Sequence, residues 1–163
     1  MLVMTTNLDD RLAQLLDDEK VAQLEYFGYT EAWGLGTWVI ERARRDSLSL
    51  AVSVTLGEQR VFSAALEGTG HDNDFWLDRK IGVVQMFAHS SYYVQHLFAK
   101  QGRDFRTESR LDPHLYAAAG GGFPIRVRGM LVGAIAVSGW HEDGEHALGV
   151  EAITTLRDSQ LAS

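Results

Sequence analysis

The chain has 163 residues and no cysteine, which excludes disulfide bonds, thiolate catalysis and zinc sites built from cysteine. Acidic residues outnumber basic ones by 22 to 15, for a formal net charge of −7. A nucleic-acid-binding protein needs a basic face, so no nucleic acid partner is expected. No apolar run approaches the roughly 20 residues that span a bilayer, so no membrane association is expected either.

The first residues, 1–7, carry neither the basic segment nor the apolar segment of a signal peptide. Together with the missing cysteine, this predicts a cytoplasmic protein. The length suits one domain over residues 1–163. At this size, folding buries roughly 70% of the surface that the unfolded chain exposes, so a hydrophobic core needs no cross-link.

The stretch 120–139, GGGFPIRVRGMLVGAIAVSG, organises the rest of the chain. From Phe123 onward, apolar residues alternate with Pro124 and with basic residues, which predicts a strand with one apolar and one basic face. Arg128-Gly129 predicts a hairpin turn. Residues 131–137 are almost wholly apolar, the pattern of a central strand that is covered on both faces.

The remaining segments predict helices alternating with short strands. Residues 21–26 form a candidate strand, and 48–56 with 60–66 form a hairpin whose first strand alternates as a half-buried strand does. A short helix is predicted over 112–119 and a final helix over 142–160. The order predicts an α/β (α+β) fold: a five-stranded, mostly antiparallel sheet flanked by helices.

The longest predicted helix is capped by Asp72, Asn73 or Asp74 and runs for about 28 residues to a C-terminal Gly102. At 100° per residue, its apolar stripe carries Trp76, Val83, Phe87, Val94 and Phe98. Its second face predicts a subunit interface, formed by aromatic, histidine and glycine residues: Gly82, His89, Tyr92, Tyr93 and His96. The two histidines on it are two turns apart, about 10 Å, which is too far to chelate one metal, and no metal site is predicted.

Lys80 falls inside the apolar stripe, with Arg79 at its edge. One interpretation is a lysine stem that covers apolar surface with its ammonium in water. The other is a cation that lines a pocket for an anionic group. Two basic residues in the first turns of a helix oppose its dipole, which favours an anion nearby.

The basic side of the hairpin, including Arg126, is either a solvent face or a second anion contact. The glycine run could present N–H groups to an anion or allow close backbone packing. It has neither the P-loop ending nor the Rossmann spacing. We predict one cleft with an apolar floor and a cationic rim, lined by Trp76, Arg79, Lys80, Gly121, Gly122, Phe123 and Arg126.

The runs AWGLG at 32–36, WLDRK at 76–80, HSSY at 89–92 and GGFPI at 121–125 resemble the haem-degrading domain family, the GlcG/HbpS-like group. The resemblance is closest to its intracellular branch and covers most of the chain. It implies a profilin-like three-layer arrangement, a homo-oligomer built from dimers, and haem as a candidate cofactor. Many relatives carry a histidine just before the glycine pair of the hairpin, where this chain has Ala119.

These observations favour a module that binds a small anionic or planar ligand, with haem among the candidates. An oligomeric interaction scaffold is the first alternative. A haem-degrading enzyme is the second, and it is implied by the resemblance alone. The sequence has no GxSxG motif for a nucleophilic serine, and we predict no catalytic residue.

Overall fold

The computed structural model describes residues 2–163, with side chains from residue 7 onward. Its helices are α1 (Leu2–Val21), α2 (Tyr29–Arg45), α3 (His71–Phe87), α4 (Ser91–Lys100), α5 (Phe105–Glu108) and α6 (Glu142–Ala162). Its strands are β1 (Gln23–Leu24), β2 (Ala51–Leu56), β3 (Gln59–Ala65), β4 (Gly122–Val127) and β5 (Met130–Ser138). None of these helices is long and apolar enough to cross a membrane.

The five strands form one open sheet in the order β1-β4-β5-β2-β3, and only the β1–β4 pair is parallel. This confirms the predicted sheet. The predicted hairpin is also confirmed, because β4 pairs with β5 through a turn at Arg128 and Gly129. Both turn residues have positive φ, 50° and 87°, as a turn that matches the strand twist requires.

Helices cover both faces of the sheet, so the protein has three layers. On one face, α2 and α6 bury apolar side chains such as Leu35 and Ile153 against the sheet. On the other, Leu77, Ile81 and Val84 of α3 pack on small residues of β2 and β5. The prediction that β2 is half-buried is therefore wrong. The small and polar side chains of β2 face α3, which buries them, so both faces of the strand are covered.

The predicted long helix is wrong because the chain breaks between α3 and α4. Ala88 ends α3 with φ 57°, a left-handed conformation that cannot continue the helix. Ser90 then caps α4, accepting a hydrogen bond from the backbone N–H of Tyr93 at 3.1 Å. The predicted stripe survives in part, since Val83, Val94 and Phe98 form one buried cluster across both helices.

The face that the sequence assigns to a subunit interface is largely filled within the chain. Tyr92 is buried, and its hydroxyl donates to Asp143 of α6 at 2.7 Å while Arg11 of α1 lies over its ring. A Cβ on Gly82 would lie 2.6 Å from the carbonyl oxygen of Leu115. The interface prediction is therefore wrong for Tyr92 and Gly82.

Residues 112–119 form a turn and an extended segment instead of the predicted helix, and the helical turn is α5. This segment runs beside α3, where the N–H of Ala117 donates to the carbonyl of Arg79 at 3.2 Å. The chain from α4 to β4 therefore forms a wall opposite the amino-terminal half of α3.

Candidate functional site

A cavity of about 520 Å³ lies between α3, α4, α5 and the wall 112–119, and we call it the outer cavity. Four aromatic side chains line it: Trp76, Phe98, Phe105 and Tyr116. Trp76 and Phe98 both belong to the predicted apolar stripe. The break after α3 places α4 and α5 beside the part of the stripe that lies on α3. The volume is within the range of small-molecule sites.

Three arginines line the same cavity: Arg79, Arg103 and Arg106. The guanidinium of Arg79 lies 4.3 Å from the centroid of the Trp76 ring, and that of Arg103 lies 4.6 Å from Phe98. Stacking fixes each guanidinium plane and leaves N–H groups at its edge for an acceptor.

The carboxylates at the outer cavity are committed to the backbone and to other side chains. Asp104 caps α5 by accepting from Thr107, and Glu142 accepts from the N–H of Gly120 at 3.1 Å and from Gln95 at 2.9 Å. These carboxylates therefore hold the walls in place. Arg79 donates to the carbonyl of Phe75, and Arg103 donates to Gln101 and to the carbonyl of Glu108, so the remaining N–H groups of the arginines are the ones available to an external anion.

One imidazole lines the outer cavity. The Nδ1 of His114 is 3.1 Å from a carboxylate oxygen of Asp112, which leaves the Nε2 for another partner. A carboxylate behind an imidazole is the usual arrangement of a metal-ligating histidine. The backbone N–H and the ring of His114 both bond to Asp112 and lower the pKa of that carboxyl.

A second cavity, of about 280 Å³, adjoins the first and shares Trp76, Ala119 and Glu142 with it. We call it the inner cavity. Its floor holds an ion pair: the Lys80 ammonium is 2.9 Å from the Glu145 carboxylate and 2.9 Å from the carbonyl oxygen of Val137. Lys80 and Glu145 are only 3% and 4% exposed.

Burial dominates the protonation of this pair. Loss of solvent raises the pKa of Glu145 to about 7 in spite of the attraction of Lys80. The same desolvation lowers the pKa of Lys80, against the opposing effect of Glu145. Both shifts favour the neutral forms, so burial brings the two pKa values closer together and lowers the cost of moving the proton from Lys80 to Glu145.

The structure divides the predicted ligand-binding residues among different places. Trp76 and Arg79 line the outer cavity, and Lys80 lies in the inner one. Phe123 points to the opposite face of the sheet and is buried in the core with α6. Arg126 lies about 13 Å along β4 from Gly122, by the rise per residue of a strand, where it pairs with Glu19 and the carbonyl of Ala88.

The predicted cleft is therefore wrong in joining Lys80 to Phe123 and Arg126. Residues on adjacent positions of a strand face opposite sides, which separates Phe123 from Gly122. Of the two alternatives for the glycine run, close backbone packing is the one that the structure supports at Gly120 and Gly122. The N–H of Gly120 donates to Glu142, and that of Gly122 donates to Ser91 Oγ at 2.9 Å.

Sequence reasoning missed the residues that complete both cavities. These are Arg103, Phe105, Arg106, His114 and Tyr116 at the outer cavity, and Asp72, Asn73, Trp140 and Glu145 at the inner one. The charged segment 103–110 carried a signal, because it places two arginines around a phenylalanine. Nothing in the sequence pattern pairs Lys80 with Glu145, which lies 65 residues away.

A family model described as haem degrading protein HbpS-like matches residues 27–154, and the chain belongs to this family. It is similar to UPF0303 proteins, which confirms the resemblance predicted from the motifs. The protein of Streptomyces avermitilis is 44% identical over 143 residues, covering 87% of this chain and 88% of the relative. That of Psychromonas ingrahamii is 35% identical over 151 residues, covering 92% and 95%.

Solved structures share the fold at lower identity. The Ybr137w protein has a TM-score of 0.84 at 24% identity, covering 97% of this chain and 96% of that one. PduOC in complex with haem has a TM-score of 0.68 at 16% identity, covering 78% and 92%. HbpS has a TM-score of 0.67 at 17% identity, covering 82% and 92%.

Proposed function

We propose that the protein binds a small anionic ligand with an apolar or planar body in the outer cavity. One observation carries the proposal. Among the described residues, seven of the twelve arginines lie within ion-pair distance of a carboxylate. Of the other five, three line the outer cavity: Arg79, Arg103 and Arg106.

This concentration of cations is notable in a chain whose net charge is −7. A like-charged cluster without carboxylate partners is unfavourable unless an anion joins it, so it favours ligand binding over a purely structural role. The aromatic walls supply apolar contact for the body of the ligand, and the guanidinium edges supply charge-assisted hydrogen bonds.

Removing two of these cations is expected to weaken the binding of an aromatic anion. Anilinonaphthalene sulfonate serves as the probe, and its fluorescence is titrated with protein. The Arg79→Gln/Arg106→Gln variant is expected to bind about tenfold more weakly or worse, because hydrogen bonds to charged groups contribute about 1.5–3 kcal/mol each.

The matched control is Arg44→Gln/Arg110→Gln. Arg44 and Arg110 are the other two arginines that have no carboxylate partner among the described residues, and both lie outside the outer cavity. The control therefore changes the net charge by the same amount without changing the cavity. If both double variants weaken binding to the same extent, the probe responds to overall charge, and the outer cavity is not the site.

Haem is a specific candidate for this ligand. The family description and the haem complex of PduOC support it, and the residues of the outer cavity fit it. His114, backed by Asp112, would ligate the iron; Arg79 and Arg106 would bind the propionates; and Trp76 and Phe105 would contact the ring. Bound haem would supply an iron centre for redox or ligand-exchange chemistry.

The haem candidate predicts a change of iron ligation in one variant. On titration with haemin, His114→Ala is expected to lose the Soret shift of a histidine-ligated iron and to bind about tenfold more weakly or worse, as loss of a metal contact does. The control is His71→Ala, which removes an exposed imidazole that also lies beside a carboxylate, Asp74. Identical spectra for wild type and His114→Ala would contradict this ligand assignment.

We also propose a homo-oligomer in the cytoplasm. The location is based on composition, as predicted above, and is checked by fractionation of host cells. For the oligomer, the supporting observation is an exposed aromatic surface on α2, where Tyr29 and Trp33 are both more than half exposed. Large exposed apolar groups mark contact surfaces. A monomer by light scattering would contradict this part of the proposal.

A further inference from the structure

The inner cavity contains the amine of Lys80, which takes no part in the ligand binding proposed for the outer cavity. The Lys80 ammonium has two hydrogen-bond acceptors among the described residues, Val137 O and Glu145 Oε2, for its three N–H groups. Its Nζ lies 6.0 Å from the centroid of the Trp76 ring. One N–H therefore remains for a partner in the cavity.

On the side away from the cavity, the chain packs closely against this amine, and the close approach requires a glycine. A Cβ on Gly121 would lie only 2.8 Å from Nζ and 2.4 Å from Val137 O, and the residue has φ +126°, which favours glycine. Any other residue at this position would clash with Val137 and displace the Lys80 amine, and it would strain the backbone. The amine of Lys80 is thus buried, yet it lies at the wall of a cavity.

We propose that Lys80 forms a covalent imine with a small neutral aldehyde or ketone that enters the inner cavity, with Glu145 as the proton carrier. The Glu145 carboxylate takes a proton from the ammonium. The neutral amine then attacks the carbonyl carbon, and Glu145 moves a proton from nitrogen to oxygen to give a carbinolamine. Glu145 next protonates the hydroxyl, water leaves, and an iminium remains paired with the carboxylate.

The step is balanced without any other reagent. One ammonium and one carbonyl compound give one iminium and one water, and nothing is oxidised or reduced. Desolvation supports the first proton transfer, because it lowers the pKa of Lys80 and raises that of Glu145.

Size and charge define the substrate class. The cavity of about 280 Å³ is small, and its walls include the aromatic rings of Trp76 and Trp140. Its charged groups are one cation, Lys80, and three carboxylates, Asp72, Glu142 and Glu145. An additional carboxylate on the substrate would be repelled, so a neutral carbonyl compound of a few heavy atoms is favoured over a keto acid.

The chain allows an internal comparison because it holds three lysines, Lys20, Lys80 and Lys100. The protein is treated at pH 7 with acetaldehyde and cyanoborohydride, which reduces an iminium to a stable ethylamine. Label is then measured at each lysine by mass spectrometry of chymotryptic peptides. Lys80 is expected to carry about tenfold more label than either other lysine, or more, because Glu145 at 2.9 Å supplies general acid–base catalysis, which typically contributes about 10²–10⁴-fold, and burial lowers the pKa of the amine.

A purely structural ion pair predicts the reverse order. Lys20 and Lys100, whose side chains are 76% and 42% exposed, would then be labelled first and Lys80 least. Equal or lower labelling of Lys80 overturns the proposal. Pyruvate in place of acetaldehyde is expected to label Lys80 more slowly, and equal labelling would overturn the substrate class.

The variant Lys80→Arg keeps the cation but cannot form this imine, so its total label is expected to fall to that of the other amines. The test is independent of the outer cavity. Arg79→Gln/Arg106→Gln weakens the proposed anion binding but keeps Lys80 and Glu145; it removes only the smallest of the causes that lower the pKa of Lys80, the charge of Arg79. Failure of one proposal therefore does not imply failure of the other.

Discussion

Replacing Lys80 with methionine is expected to lower the free energy of unfolding by about 3–5 kcal/mol at pH 8, the usual cost of breaking a buried pair by removing one partner. Methionine fills a similar volume, so the loss is mainly electrostatic. Glu145 would remain 4% exposed without its cation, and Val137 O would lose its donor. Urea denaturation followed by circular dichroism measures the loss.

Two variants separate this explanation from a simple packing defect. Lys80→Met/Glu145→Leu replaces the pair with apolar side chains and is expected to recover most of the stability, since such replacements are often neutral or stabilising. Lys100→Met removes the cation of an exposed pair with Asp9 and is expected to cost at most about 1 kcal/mol. A double variant no more stable than Lys80→Met would contradict the electrostatic account.

The sheet and its central hairpin were predictable because their signals are local. Alternation, an apolar run and a two-residue turn with glycine lie within the stretch 120–139 and determine β4, β5 and their pairing. The break between α3 and α4 is also local, but its signal is weak. Ala88 has no sequence feature that indicates a left-handed conformation. Ser90 is a favourable N-cap residue, but serine also occurs inside helices at a modest cost, so by itself it does not indicate a break.

Only the wall of the candidate site that α3 forms was predictable from the sequence. The stripe at the start of α3 identified Trp76, Arg79 and Lys80 as unusual, and the structure gives each of them a place at a cavity wall. The opposite walls come from segments distant in sequence. Which of them faces α3 depends on how the chain from α4 to β4 folds back, and this is a tertiary property without periodicity.

Arg126 shows that a wrong contact can also be predicted when the tertiary structure is unknown. It was predicted to share a cleft with Lys80 because both are cations beside apolar residues. The structure places the two at different ends of β4, and Glu19 from α1 takes the guanidinium at 2.8 Å. An acidic residue at the end of an amphipathic helix gives no sign in the sequence that it will be buried under a strand 107 residues away.

The pH dependence of stability distinguishes the effect of burial from that of the ion pair at Glu145. The pKa of this carboxyl is about 7 in the folded state, against a usual value of 4.5. Between these values the folded state retains a proton that the unfolded state has released. The favourable contribution is therefore complete below about pH 4.5 and is lost as the pH rises through 7.

We expect the stability of the wild type relative to Glu145→Gln to fall by about 3 kcal/mol between pH 4.5 and pH 7.5, at 1.36 kcal/mol per pKa unit. Lys80 changes this difference in the same direction. In Glu145→Gln the pKa of Lys80 is lowered further because the carboxylate is gone, so the variant gains more stability than the wild type as the pH rises. Urea midpoints at fixed protein concentration measure the difference, and Glu151→Gln serves as a control at an exposed position of the same helix, α6. A difference that grows with pH would mean that attraction to Lys80 outweighs burial, and burial would then not assist the first proton transfer of the imine proposal.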